Sequence, residues 1–339
     1  MGNLTDKFDP RAESALRGLI GGAVRTQAVY VAATLGIADR LALGPRSATE
    51  LAEATNTDAA TLRRVLRYLV SSGVFIERED GRFALNAAAE YLQSAHPRSL
   101  RPSAIRAGEN LWNVAGRLLD AVKTGGTPHE ALHGSRFFET MNEQSFAARM
   151  AFSAAGLGPA IAADECFAQA RSVVDVGGGH GAHLAAILRA HPQLRGVLFE
   201  TAAMLAGAER TLHDVRDRCE LVAGDFFESV PDGDVYLLSW ILHDWNDERA
   251  AQILRTCRRD GATLLIAEVL LPDHAQEIVA SEAIADPFTL DMQMLLLTGG
   301  RERTLEEYRA LLDQTGFELA SVRTPPSTRG ASILTAWAK

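Results

Sequence analysis

Two rhythms of apolar and polar positions divide the chain. From Arg11 to about Leu43 the apolar residues recur with helical spacing, broken around Gly21, Gly22 and Gly36. Ser47 and Glu50 then read as a capping box opening a short helix, 56–58 as a turn, and a second helix runs to about Ser71, where Gly73 stops it. Residues 75–85, turning at Asp80 and Gly81, have the pattern of a hairpin. Helix, helix and hairpin in that order predict a winged helix. Residues 101 to about 165 are mostly helical, with Trp112, Phe137, Phe138, Met141, Phe146, Met150 and Phe152 scattered through them. Such a stripe packs a core or walls a pocket for a flat apolar ligand. After about Cys166 the rhythm changes: β-rich runs at 172–176, 196–199, 220–222, 234–239, 263–267, 317–322 and 332–337 are separated by helical patterns at 182–190, 202–216, 247–258, 288–297 and 304–315. This alternation predicts an α/β domain, a parallel sheet with helices on both faces.

Length agrees with more than one domain, since single cores seldom grow beyond ~250–300 residues and the chain has 339. Its 47% hydrophobic content supplies a core of ordinary size. The formal charge of −9 works against nucleic acid or a membrane surface as partner, because a phosphate-binding face carries a local excess of Lys and Arg. On that ground the winged helix, with Arg63, Arg64 and Arg67 on its second helix, is read as a protein–protein scaffold before a DNA reader. Cys166, Cys219 and Cys257 lie far apart with no CxxC pair, which disfavours a disulfide framework or structural zinc. No apolar run is long enough to span a bilayer, MGNLTDKFDP lacks the layout of a signal peptide, and Asp6 stands where myristoylation wants Ser or Thr. The expectation is a soluble, cytoplasmic protein.

Candidate chemistry begins at VVDVGGGHGAH, residues 173–183. Gly177, Gly179 and Gly181 between a strand and a helix let the backbone turn sharply and approach a ligand. Glu200, nineteen residues after Gly181, ends the next strand, where a carboxylate accepts from both ribose hydroxyls of an adenosine. Nicotinamide and adenosylmethionine cofactors share that need. Asp175 separates them, since an acid beside the loop repels a pyrophosphate but suits an ammonium and a sulfonium. The third strand ends in AGDFFESVP, where Gly224 and Asp225 offer an acceptor for an adenine amino group and Phe226 an apolar floor. Singly, Asp175, Glu200 and Asp225 read as a cap, a solvated strand end and a turn residue. At successive strand ends on the ligand-binding edge they read together as a site for S-adenosyl-L-methionine, with S-adenosyl-L-homocysteine as product.

The apolar run LLSWILHDWND, 237–247, then ends on an ionisable pair, His243 and Asp244. With DVGGGHG, GDFFESVP, AEVLLP (267–272) and TGGRERTLEEYRALLDQTGFE (298–318), it resembles the small-molecule O-methyltransferases of the caffeate and acetylserotonin type, in particular their bacterial secondary-metabolite branch. The resemblance covers nearly the whole chain. It implies a Rossmann-like class I methyltransferase domain with a seven-stranded mostly parallel sheet at 166–339. Before it come a winged-helix dimerisation domain at 1–100, a helical linker at 101–165 contributing to the acceptor pocket, and a homodimer. It makes His243 the general base, flanked by Glu268 and Glu302. It gives cofactor contacts to Gly177 and its neighbours, Glu200, Asp225 and Phe226, and an acceptor pocket to Phe146, Met150, Met292 and Met294. Ser239 stands where plant members have Lys, Glu200 where many have Asp, and Thr201 where Leu-Pro is common.

The implied reaction is in-line transfer of a methyl group to an aromatic hydroxyl. A neutral imidazole with a pKa near 6.5 takes the proton, Glu268 or Glu302 fixes the tautomer, and no metal is needed. Ser239 is expected on the cofactor side, and Asp244 is a candidate for recognising a second polar group of the acceptor. Asp247 and Glu248 read as first-turn acids of a helix. His180 and His183 are read as solvated or capping. The competing readings are the same scaffold methylating carbon or nitrogen or running a non-methylating reaction, a DNA-binding regulator, and a nicotinamide oxidoreductase.

Overall fold

The computed structural model describes residues 9–140, 156–275, 286–328 and 330–339. The chain divides into two compact units, Met1–Gly116 and Arg117–Lys339. The division falls within the segment expected as a linker.

The first unit contains α1 (Pro10–Ile20), α2 (Gly22–Thr34), α3 (Ile37–Leu41), α4 (Ala48–Thr55), α5 (Ala59–Ser71), β1 (Ile76–Glu77) and β2 (Phe83–Ala84), followed by short helices. The capping box forms both of its bonds: the Ser47 hydroxyl accepts from the Glu50 N–H at 3.2 Å, and the Glu50 carboxylate accepts from the Ser47 N–H at 2.6 Å. Leu62, Leu66 and Leu69, spaced for one face of α5, pack with Ile37, Leu51 and Phe83 in a single core. On the outer side of α5, Arg63 and Arg67 reach Glu77 of the hairpin at 3.5 and 3.1 Å. Two of the three arginines that suggested DNA are thus engaged within the unit. Leu16, Leu19 and Ile20 on α1 and Val24 on α2 are exposed, an apolar face of the kind that marks an interaction surface.

The second unit is built on one sheet. Its elements are β3 (Ser172–Val176), α6 (Ala182–Ala190), β4 (Arg195–Glu200), β5 (Cys219–Ala223), β6 (Val235–Ser239), α7 (Asp247–Cys257), β7 (Thr263–Leu271), α8 (Pro287–Leu297), β8 (Arg303–Thr304), α9 (Leu305–Gln314), β9 (Phe317–Arg323) and β10 (Ala331–Ala338). Strand order is β5-β4-β3-β6-β7-β10-β9, with two-residue β8 paired to the end of β7. The first five run parallel and β10 is inserted antiparallel between β7 and β9. Alternation sends Val173, Leu198, Leu237, Leu265 and Ala267 to one buried face. Val174, Val176, Phe199, Tyr236, Leu238, Leu264 and Ile266 go to the other. Central strands covered on both faces account for their almost unbroken apolar runs. The sequence pattern does not show β8, and it makes 202–216 one helix where the structure has Ala202–Leu205 and Glu209–Leu212. Between these two turns, Gly207 lies too close under the His180 ring for any Cβ. The strand order reverses between β3 and β6, which opens a crevice at their carboxyl ends.

Candidate active site

The loop after β3 is shaped by left-handed backbone at Gly177, Gly179 and Gly181, with φ of 70°, 58° and 78°. A Cβ on Gly177 would stand 2.6 Å from Ile241 Cδ1 and 3.5 Å from the Phe226 ring, so the loop is pressed between these two side chains. Asp175 is 1% exposed and lies directly beneath Gly178, where a Cβ would collide with its carboxyl group. Neither carboxyl oxygen has a hydrogen-bond partner among the described residues. Burial pushes this carboxyl up to about 7, against a smaller pull from the nearby Leu184 backbone N–H, and Glu200 adds to the rise.

Glu200, half-buried at the end of β4, accepts from the Thr201 N–H, and burial raises its carboxyl. Asp225 is exposed and accepts from the Phe227 N–H at 2.8 Å; Gly224 beside it sits against the Phe199 ring. The buried Ser239 hydroxyl and the Trp240 indole N–H also lack partners among the described residues. Strand alternation gives Asp175, Glu200 and Ser239 the same parity as Val173, Leu198 and Leu237, the face covered by α6. The cradle and its unpaired acceptors and donor fit a polar, cationic ligand of nucleoside type.

The strand preceding His243 is shorter than its apolar run implies. It stops at Ser239, Trp240 turns left-handed with φ of 57°, and His243 follows on a single 3₁₀ turn, Leu242–Asp244. A strand of 234–243 would need β-pairing that the backbone leaves at Trp240, whose N–H still donates to Ala267 at 3.1 Å. Glu268, fully buried on β7, replaces the missing partners. Its Oε1 accepts the N–H groups of Ile241, Leu242 and His243 at 3.1, 2.6 and 3.2 Å, and its Oε2 accepts from the Tyr308 hydroxyl. Glu268 thus holds the backbone of the turn and not the imidazole.

The ring contact belongs to Glu302. His243 is 6% exposed, and its Nδ1 lies 2.7 Å from Glu302 Oε1 with the ring N–H donating to the carboxylate. Burial raises the Glu302 carboxyl and the neighbouring imidazole partly offsets this. Nε2 is left on the other side of the ring, 3.9 Å from Asp244 Oδ2. For His243 itself, burial favours the neutral ring, but Asp244, Glu302 and Glu268 together outweigh it and lift the imidazole to about 10. The expected value near 6.5 is therefore corrected upward, because three acids face one ring.

Several groups were missed. Arg303, fully buried, donates to the carbonyls of Leu242 and Trp245 at 2.9 and 2.8 Å and to Asp247 Oδ1 at 2.9 Å. Gly300 lies against the backbone of 243–245, where a Cβ would be 2.6 Å from the Trp245 N and closer still to His243 O. The only local signal was RERT followed by the Thr304–Glu307 capping box, which announces a helix start but not a buried arginine. Asp247 caps no metal cluster; it follows the N-cap Asn246 and binds Arg303.

Of the expected acceptor residues, Phe146 and Met150 lie outside the described residues. Met292 is 41% exposed and Met294 8%, and two helical residues apart they point to opposite sides of α8, so the structure does not bring them to one wall. Trp245 instead gathers aromatic rings: Phe227 at 4.7 Å, Phe226 at 6.1 Å and a stacked Phe138 at 6.3 Å between centroids. His180 packs on Gly207. His183 is buried on α6 with its Nε2 unpartnered among the described residues, and burial lowers it to about 4, so it is neither solvated nor a cap.

Comparison with known proteins adds to this geometry. An O-methyltransferase domain family matches residues 116–318, and an O-methyltransferase dimerisation domain family matches residues 18–94. A phenazine O-methyltransferase of Lysobacter antibioticus is 40% identical over 335 residues, 95% of each chain. The solved structure of NcsB1, an O-methyltransferase from neocarzinostatin biosynthesis in complex with S-adenosylmethionine and 2-hydroxy-5-methyl naphthoic acid, superimposes with a TM-score of 0.80 at 30% identity. It covers 93% of this chain and 96% of its own. The aclacinomycin 10-hydroxylase RdmB of Streptomyces purpurascens is 35% identical over 332 residues, 91% of this chain and 85% of the relative.

Proposed function

The chain belongs to the O-methyltransferase family of bacterial secondary metabolism and carries that family's dimerisation domain, and from this membership we propose that it methylates a phenolic hydroxyl of an aromatic secondary metabolite with His243 as general base. It is an S-adenosylmethionine-dependent enzyme, and its central sheet is that of class I methyltransferases. When bound, the cofactor supplies a methyl group on a sulfonium, which leaves sulfur as the acceptor oxygen forms its bond to carbon. Glu200, Asp225, Phe226 and the loop of Gly177 and Gly179 are the groups that hold its adenosine; Ser239 and the buried negative potential of Asp175 lie on the same edge.

The reading rests above all on the buried 2.7 Å contact between His243 Nδ1 and Glu302. A carboxylate on Nδ1 leaves Nε2 as the nitrogen able to take a proton, and it stabilises the imidazolium that results. An imidazole lifted toward 10 is matched to a phenol near pKa 10, so the transfer between them is close to balanced. That match has a consequence for pH. The ring must first be neutral, so the rate rises with pH through the neutral range instead of levelling off above 6.5. The proton passes from the phenol to Nε2, which makes this route independent of a metal. Trp245 with Phe138, Phe226 and Phe227 supports an aromatic acceptor, since flat rings stack on such walls. Homodimer formation is supported by the exposed apolar face of α1 and α2.

The test is incubation with methyl-labelled S-adenosylmethionine and a panel of hydroxylated phenazines, naphthoates and benzoates. Label is expected on oxygen. His243→Ala is expected to lose on the order of 10²–10⁴ in rate with adenosylhomocysteine affinity unchanged, the usual contribution of a positioned base. Full activity in that variant would end the base assignment, and label on carbon or nitrogen, or product without label, would favour the chemistry of relatives such as the hydroxylase.

A further inference from the structure

Behind His243 lie two buried side chains that the reaction above does not use. The Tyr308 hydroxyl donates to Glu268 Oε2, while the other oxygen of that carboxylate gathers three consecutive N–H groups of the turn. From the opposite end Arg303 gathers the carbonyls of Leu242 and Trp245, and its guanidinium carbon lies 5.8 Å from the Tyr308 ring centroid. One residue supplies the acceptor for the turn's donors and another the donors for its acceptors. A lone 3₁₀ turn has poor hydrogen-bond geometry of its own, and ionic groups so deeply buried are seldom the most stable filling for a core.

We propose that Tyr308 and Arg303 are positioning residues for the base: through Glu268 and through the turn's carbonyls they hold the His243 ring so that Nδ1 meets Glu302 and Nε2 is turned away from it. This rests on the reading of His243 as the base. Neither residue touches the ring, so each acts through another group. Facing the ring are Asp244 on its own turn, Glu302 from the loop before β8, and Glu268 from β7. Behind these stand Arg303 of β8, Tyr308 of α9, Asp247 of α7 on Arg303, and Asp291 of α8, which accepts from the Glu302 N–H at 2.9 Å. Removing the Tyr308 hydroxyl leaves Glu268 a buried carboxylate short of a donor, which makes it easier to protonate. A neutral Glu268 supports the imidazolium less, so the titration of His243 moves to lower pH.

The experiment is nuclear magnetic resonance of the full-length protein with isotope-labelled histidine, the His243 signal assigned by its loss in His243→Gln. In the unsubstituted protein the ring is expected to titrate well above an ordinary histidine and to keep its proton on Nδ1. Tyr308→Phe should lower that titration by about one unit with unchanged melting temperature and adenosylhomocysteine affinity. Arg303→Lys, with one donor centre for two carbonyls, should speed exchange of the Nδ1 proton and blur the single tautomer. Titration unchanged in Tyr308→Phe removes Tyr308 from this role, and unchanged exchange and tautomer in Arg303→Lys removes Arg303. Full methyl transfer by His243→Ala would instead end the base reading while leaving the spectroscopic result standing, so the two failures are distinguishable.

Discussion

The loop after β3 and the turn after β6 are both tight pieces of backbone at the same edge of one sheet, yet they are finished in opposite ways. Around the first, Asp175, the Ser239 hydroxyl and the Trp240 indole have no hydrogen-bond partners among the described residues. Around the second, three N–H groups and two carbonyls are taken up by Glu268 and Arg303, and only Glu302 Oε2 is left over. A buried polar atom without a partner costs about 1–3 kcal/mol. Groups of that kind gathered at one loop mark where a ligand completes the structure, whereas a saturated turn is organised in advance for proton transfer. The difference teaches which half of the site should respond to ligand and which should not.

Matched glycine substitutions press on that contrast hardest. At Gly300 a Cβ meets backbone that has nowhere to go, so Gly300→Ala is expected to lower stability by roughly 2–3 kcal/mol and to take most activity with it. Thermal unfolding beside methyl-transfer assays checks this; wild-type melting would mean the turn yields. Next in size, Glu302→Gln keeps the shape but removes the charge that orients the ring. A loss on the order of 10²-fold in kcat is expected, with KM for adenosylmethionine unchanged.

Gly177→Ala should cost less stability than Gly300→Ala, about 1–2 kcal/mol for the left-handed backbone, because Ile241 Cδ1 is the movable end of a side chain. Its larger effect should be on cofactor affinity, measured by calorimetry with adenosylhomocysteine. If the two alanines proved alike in both readouts, the division between a ligand-completed loop and a self-completed turn would fall.

The smallest expected effects are opposite trends with pH. His243 is raised to about 10 from an ordinary 6.5, so the stability it contributes is fully present below about 6.5 and is lost as pH rises through about 10. The melting-temperature deficit of His243→Gln should therefore be greatest near pH 6 and close toward pH 10. Asp175 is also raised, but as a carboxyl it costs nothing below about 4 and costs progressively more until about 7. Asp175→Asn should accordingly melt higher than the unsubstituted protein at pH 8 and not at pH 4.

Much of this was legible in residue order. The seven strand runs read from alternation all fall on observed strands, and the capping box at Ser47 and the turn at Gly81 form where local chemistry puts them. Less legible was the end of β6: Trp240, Ile241 and Leu242 are as apolar as a strand, and only Glu268, pairing three of their N–H groups from another strand, makes a turn there. The same limit separated Glu268 from Glu302. Both were recognisable as acids near the base, but which of them touches the ring depends on which strand edge each occupies. Arg303 was not legible at all, since an arginine between charged neighbours reads as solvated until β8 is docked on β7.

Local periodicity, caps and glycines thus determined the elements and their order, because each depends on residues a few positions apart. The glycine loop and the successive acids also marked the cofactor edge, because a parallel α/β sheet puts all its strand ends on one side. Tertiary structure alone decided the proton affinity of His243, the division of labour between its two glutamates, and the burial of Arg303 and Tyr308. Those properties arise where residues 60 positions apart in the chain, such as His243 and Arg303, are brought into a space that water does not reach, and there the count of neighbouring charges and partners outweighs any residue's own preference.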